Sequence, residues 1–152
     1  KVFADTEQLQ SFWQAFAMGD SEAVEQFLNR TLSNSISVFD AKGRDEEREN
    51  SYHMLLVGLL AGKADWLVRS NVEAGEGFAD IIVETDDLDA GVIVELKYAQ
   101  TMTAMEKSCA KALAQIRAKR YAEYLHNNGR EKVLLYGIAF CKKRCRVVAE
   151  KL

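Results

Sequence analysis

The 152-residue sequence predicts an α/β fold in which a mixed central β-sheet is flanked by helices. One observation is that apolar residues recur at three- and four-residue intervals near the amino terminus and again before and after the middle of the chain. Another is that short apolar runs typical of strands separate these helical segments. Elements in this order fit a layered sheet better than separate all-α and all-β parts.

The first third of the chain is predicted to be mainly helical. Helices are expected over Thr6–Met18 and 21–31, with Asp20 or Ser21 as an N-cap between them. A short strand is expected over 36–39. An acidic helix over Asp45–Ala61 follows, and its acidic first turn suits the positive end of the helix macrodipole.

Strands dominate the rest of the chain. They are expected over 66–70, 78–84, 91–98, 133–140 and 146–149. A glycine-bearing loop over 71–77 separates the first two strands. Thr103 is expected to cap a long helix that ends near Asn127, where Asn-Asn-Gly stops it. The aromatic residues expected in the core or in a pocket wall are Tyr52, Trp66, Phe78 and Tyr98.

Two neighbouring strands of core type carry ionisable groups, Asp80 on the first and Glu95 and Lys97 on the second. Closing this segment as a symmetric antiparallel hairpin about residues 85–90 pairs Asp80 with Glu95. The same register pairs Phe78 with Lys97. Two carboxylates then face each other.

Opposed carboxylates in a half-buried hairpin repel each other and are costly to remove from water, so a resident cation is expected. Carboxylate oxygens suit Mg²⁺ or Mn²⁺, whose other positions water and substrate phosphate can fill. Lys97 can hold or polarise an attacking water, and this pattern is typical of phosphodiester hydrolysis. The alternative is an ordinary hairpin whose Glu95 and Lys97 are solvated surface charges.

A further carboxylate, Glu49, begins the apolar face of the helix Asp45–Ala61. Helical spacing places it on one stripe with Tyr52, His53 and Leu56. Glu49 is therefore either an exposed first-turn glutamate or a ligand aimed into a site. His53 is either an auxiliary, water-binding group of that site or a packed histidine.

Four motifs stand in order along the chain: Glu49-Asn-Ser-Tyr-His, Ser70-Asn-x-Glu-Ala-Gly-x-Gly-x-Ala-Asp80, Glu95-Leu-Lys97 and Gln115-Ile-x-x-Lys119-x-Tyr121. Their order, with acids in one helix and two strands before a long helix, resembles the PD-(D/E)XK nuclease superfamily. More narrowly, the motifs look like the nuclease-like domain that follows an AAA-ATPase-like domain in a family of bacterial proteins. The resemblance covers most of the chain.

This resemblance implies a restriction-endonuclease-like core with extra amino-terminal helices, and an enzyme that cleaves DNA with Mg²⁺ or Mn²⁺. Asp80 and Glu95 match the family's metal-binding acids, with the Leu96 carbonyl as a further metal ligand. Lys97 matches the catalytic lysine. Glu49 matches the helical acid that completes the metal site directly or through water.

The chain departs from the family pattern at two places. Ala79 stands before Asp80, where the superfamily's name has proline. Gln115 resembles the glutamine of the helix motif in RecB-like relatives, but Lys119 stands where a tyrosine is expected. Tyr121 would lie on another face of a continuous helix. Gln115 and Lys119 are therefore auxiliary candidates, like His53.

Length and composition predict one domain, 1–152. The resemblance implies that this domain has a helical extension over 1–44 and a nuclease core over 45–152. No apolar run approaches a membrane span, and three cysteines suggest reduced thiols, so a cytoplasmic protein is expected. The chain begins with Lys1, so we expect a piece of a longer protein. The resemblance implies an AAA-ATPase-like domain ahead of it, and a homodimer is kept open.

Charge is divided unevenly along the chain. Residues 1–96 contain seven basic and nineteen acidic side chains, whereas residues 97–152 contain thirteen basic and four acidic ones. Phosphate contacts to DNA are expected from Lys111, Lys142, Lys143 and Arg144. The alternatives are a solvated charged face, or a catalytically inactive module of the same fold that binds nucleic acid or docks a partner ATPase-like domain.

Overall fold

The computed structural model describes residues 6–34 and 45–152. Its helices are α1 Thr6–Met18, α2 Ser21–Asn34, α3 Asp45–Ala61, α4 Met105–Ala118 and α5 Glu123–Asn127, with a 3₁₀ turn at Met102–Ala104. Its strands are β1 Leu67–Ala74, β2 Gly77–Glu84, β3 Ala90–Tyr98, β4 Lys132–Cys141 and β5 Arg144–Lys151. The strand expected over 36–39 lies outside the described residues.

A five-stranded sheet organises these elements, in the order β1-β2-β3-β4-β5. Neighbouring strands are antiparallel except β3 and β4, which are parallel. A parallel pair requires a crossover connection, and α4 provides it by packing on both strands. The predicted mixed sheet flanked by helices is confirmed.

The helices cover both faces of the sheet. On one face α1, α2 and α3 bury a core that includes Phe16, Tyr52 and Tyr136, and on the other face α4 and α5 bury a second core. Strand alternation divides the residues between them, because Ile81 enters the first core and its neighbour Ile82 the second. Phe16 stacks on Tyr136 at 4.7 Å between ring centroids, which ties α1 to the middle of the sheet.

The loop predicted over 71–77 is wrong, because β1 continues through most of it and forms a tight hairpin with β2. The turn uses Gly75, whose φ of +53° favours glycine. A Cβ at Gly75 would overlap the carbonyl oxygens of Lys119 and Arg120. Glu76 N–H donates to the Lys119 carbonyl at 2.8 Å, so the hairpin tip is fixed to the end of α4.

The single long helix predicted to begin at Thr103 is also wrong. Thr101 is the capping residue, because its Oγ1 accepts from Ala104 N–H at 3.2 Å at the start of the 3₁₀ turn. The helix then breaks after Ala118, where Arg120 adopts a left-handed φ of +55° that an α-helix cannot continue. The short helix α5 follows this break.

The three cysteines, Cys109, Cys141 and Cys145, are buried free thiols. Burial raises the pKa of Cys109 to about 11, so this thiol is not a reactive thiolate at neutral pH. Among the residues described, no helix combines the length and the apolar character needed to cross a membrane.

Candidate active site

Asp80 and Glu95 lie beside each other at the end of the β2–β3 ladder. Backbone pairing extends as far as Ile81 with Val94, in the register that symmetric closure of the hairpin predicts. Beyond that pair, side-chain acceptors take the place of backbone carbonyls, and Leu96 N–H donates to Asp80 Oδ2 at 2.8 Å. Asp80 N–H lies 3.5 Å from Glu95 Oε1. The strands therefore bring the two carboxylates to one point.

Glu95 is a buried acid, with 3% of its surface exposed. Burial disfavours its charged form, and together with the negative charge of Asp80 it raises the pKa of Glu95 to about 8. Lys97 opposes this effect, and its Nζ is 4.0 Å from Glu95 Oε2. At neutral pH Glu95 therefore holds a proton that a cation between the two acids would displace.

Gln115 on α4 connects the acid to the lysine. Its Nε2 donates to Glu95 Oε2 at 2.7 Å, and its Oε1 accepts from Lys97 Nζ at 2.6 Å. Its Nε2 also lies 3.1 Å from the Tyr121 hydroxyl, as a second hydrogen bond. The expectation that Tyr121 faces away was wrong, because the break at Arg120 turns the chain back towards Gln115.

A cleft of about 310 Å³ lies between α3 and the strands. Its lining residues are Glu49, Asn50, Tyr52, His53, Asn71, Asp80, Leu96, Lys97 and Phe140. The structure thus places Glu49, Asp80 and Lys97 around one space, whereas Glu95 is buried beside it. His53 also lines the cleft, and its Nε2 is a buried nitrogen with no hydrogen-bond partner among residues 6–34 and 45–152. Lys119 is exposed at the end of α4 and is not among the lining residues.

Asn71 is a lining residue that sequence reasoning missed. It stands opposite Asp80 in the β1–β2 register, but the ladder is interrupted at this pair and intact on both sides. Its φ of 53° lies in the left-handed region, which asparagine tolerates better than most residues. An asparagine inside the apolar alternation of β1 was the available signal, and it was interpreted as the start of a loop.

Basic side chains adjoin the cleft. Lys142, Lys143 and Arg144 lie at the β4–β5 turn, and the Tyr52 hydroxyl donates to the Lys142 carbonyl, which ties this turn to the cleft wall. Lys111 is exposed on α4, one helical turn before the bridging glutamine. Phosphate contacts from these four side chains stay a prediction.

The donor set suits a hydrated hard cation. Within residues 6–34 and 45–152, no group of three or more acidic, histidine or cysteine side chains is arranged to hold a metal ion. Asp80 and Glu95 supply two carboxylates, and Mg²⁺ is commonly bound through one or two carboxylates with several waters. Glu49, exposed on α3, suits a contribution through water.

A protein-family profile matches more than half of this chain. The profile of the PD-(D/E)XK nuclease superfamily matches residues 47–150. No curated protein matches the chain. A solved structure described as "Crystal structure of SSO0001" is similar at 18% sequence identity and a TM-score of 0.38, covering 80% of this chain and 57% of that one. The chain thus spans less than two thirds of that protein.

Proposed function

We propose that this chain, which belongs to the PD-(D/E)XK nuclease superfamily, hydrolyses phosphodiester bonds of DNA at the cleft between α3 and the β2–β3 strands. The observation that carries the proposal is the pair of adjacent carboxylates, Asp80 and Glu95, with Lys97 held beside them by Gln115. An acid pair with one fixed lysine is a costly arrangement for a fold to keep unless it binds something.

The residues that would hold Mg²⁺ or Mn²⁺ are Asp80, Glu95 and the Leu96 carbonyl, with Glu49 acting through a water molecule. The raised pKa of Glu95 supports this assignment, because the two acids are not both ionised without added positive charge. When bound, such an ion supplies charge neutralisation at the phosphate and lowers the pKa of a coordinated water.

The chain's own residues position the other reactants. Lys97 Nζ is fixed by its hydrogen bond to Gln115 Oε1 at 2.6 Å, and it can orient the water that attacks phosphorus or stabilise charge on the phosphate oxygens. Lys111 and the basic β4–β5 turn would contact neighbouring phosphates. Such contacts position the DNA backbone in the cleft without recognising the base sequence.

The second candidate is an inactive module of the same fold that binds nucleic acid. The observation in its favour is that the described residues hold two adjacent carboxylates and no ready three-ligand cluster. Both candidates predict DNA affinity that falls with salt, because phosphate contacts release counterions. The AAA-ATPase-like neighbour and the homodimer stay predictions.

Cleavage of DNA in Mg²⁺ or Mn²⁺ separates the two candidates. The native protein should cleave and Lys97→Ala should lose activity by a factor of roughly 10² or more, while DNA binding in EDTA changes little. The control is Lys63→Ala, which removes a half-buried lysine from the Lys63–Asp65 pair outside the cleft. Absence of metal-dependent cleavage in the native protein, with salt-sensitive binding retained, would favour the inactive module.

A further inference from the structure

Phe78 on β2 is an exposed aromatic residue beside the candidate site. Its side chain was expected in the core or a pocket wall, and that expectation is wrong because 64% of its surface is exposed. Residues alternate along a strand, so Phe78 shares a face with Asp80, about 7 Å further along. Single exposed apolar residues are ordinary on protein surfaces. The position of this one, one alternation step from a candidate catalytic acid, suggests a role.

The surroundings of Phe78 favour an anionic ligand on one side. Towards α4, Gly77 packs so closely that a Cβ on it would stand 3.3 Å from the Tyr121 hydroxyl and 3.8 Å from Lys119 Cδ. Gly77 and the buried Ala79 thus face α4, so Phe78, which lies between them, projects from the opposite face of β2, the face on which Asp80 lines the cleft. Towards the sheet edge, the residue paired with Phe78 on β1 is the exposed Glu73. On the face of Phe78 a phosphate chain is attracted towards Lys97 in the cleft and repelled from Glu73 at the β1 edge.

We propose that the Phe78 ring stacks on an unpaired base of the nucleotide next to the scissile phosphate. The chain would then act on DNA that is single-stranded or locally unwound at the cleavage point. This inference rests on the proposed function and adds the class of substrate.

The requirement for an unpaired base follows from the geometry of stacking. Inside a duplex each base is covered on both faces by its neighbours, so a protein ring can stack only on a base that has left the helix or lies at its end. Stacking on aromatic side chains tolerates any base, because every base has a π-face. Phe78 would therefore favour unpaired DNA over duplex DNA without favouring a particular base sequence.

Binding measured without cleavage tests the stacking directly. A short single-stranded oligonucleotide carrying 2-aminopurine is titrated with the native protein in EDTA, beside a blunt duplex of the same sequence. Phe78→Ala should weaken single-strand binding about tenfold and remove the fluorescence quenching caused by stacking, with a much smaller effect on the duplex. Phe78→Trp should retain both signals, and Phe78→Leu should not restore the quenching.

Leu88→Ala is the matched control, because Leu88 is 80% exposed at the far turn of the same hairpin. It should leave both titrations unchanged. Equal single-strand affinity for native protein and Phe78→Ala, or full retention by Phe78→Leu, would overturn the stacking role, and so would absence of single-strand binding by the native protein. Since these titrations need no turnover, stacking without any metal-dependent cleavage would reject the proposed hydrolysis and leave the base contact standing.

Discussion

The two ends of the β2–β3 hairpin differ in how their charged side chains are paired. At the turn end, Arg130 Nε lies 3.0 Å from Glu84 Oε2, and both side chains are nearly buried, at 12% and 11% exposure. At the cleft end, Asp80 and Glu95 lie together, and Lys97 Nζ is 4.0 Å from the nearer Glu95 oxygen. The turn end pairs its nearly buried acid with a guanidinium, whereas the cleft end places two acids side by side. This difference is what we expect if the turn end serves stability and the cleft end serves the proposed binding of a cation.

At the turn end of the hairpin, Arg130 makes further hydrogen bonds. Arg130 Nη1 also donates to the carbonyls of Thr85, Asp87 and Ala90, at 2.9, 3.1 and 2.7 Å. One guanidinium thus neutralises a buried acid and fixes the turn that sets the hairpin register. That register is what brings Asp80 beside Glu95 at the other end.

The largest effect is expected from Arg130→Ala, because it leaves the nearly buried Glu84 without its partner and removes the guanidinium donor from three carbonyls. We expect the free energy of unfolding to fall by about 3–5 kcal/mol, as for other broken buried pairs, measured by urea denaturation. The control is Lys132→Ala, which removes an exposed partner of Asp87 and should cost far less. Equal losses in the two variants would contradict the view that this end is built for stability.

A smaller effect is expected when the pH dependence of stability is compared in native protein and Glu95→Gln. The folded-state pKa of Glu95, about 8, lies above its ordinary value of 4.5, so the folded state holds the proton more tightly. Its contribution to stability is therefore full below about pH 4.5 and is lost as the pH rises towards 8. Glu95→Gln should lack this decline when metal is absent. Parallel curves of melting temperature against pH would show that the two acids are not coupled.

The smallest effect is expected from Glu49→Gln. Its exposed position suits a contact to metal through water, so the variant should weaken Mn²⁺ binding several-fold, within about 1 kcal/mol, without changing the melting temperature of the metal-free protein. Glu47→Gln on the same helix is the control, because Glu47 is exposed and does not line the cleft. An effect of equal size from both variants would remove Glu49 from the site.

The two ends also differ in how far sequence could predict them. The register followed from the symmetry of the hairpin and the alternation of apolar residues, both of which are local patterns. The positions of Tyr121 and Asn71 did not, because each depends on a left-handed backbone residue. Those conformations are set by packing between β1 and the end of α4, in particular the close approach at Gly75, which local propensity does not encode.

Phe78 shows a related limit of sequence analysis. Its place in an apolar alternating strand predicted burial, as the same pattern correctly did for Ile82 two alternation steps further along. The alternation is interrupted where Asn71 and Asp80 do not pair, so Ile82 lies beneath α4 whereas Phe78 projects from the opposite face of β2, beside the cleft. Burial was therefore predicted well where helices cover the sheet and poorly at the margin where the cleft opens.

The most direct test of the central claim, that Asp80 and Glu95 together hold a divalent cation, is calorimetric titration of Mn²⁺ into the metal-free protein at neutral pH. The native protein should bind Mn²⁺ with release of protons, because the ion displaces the proton held by Glu95. Asp80→Asn and Glu95→Gln should each lose most of this binding while remaining folded. Native protein that binds no Mn²⁺, or variants that bind it as tightly as the native protein, would contradict the account.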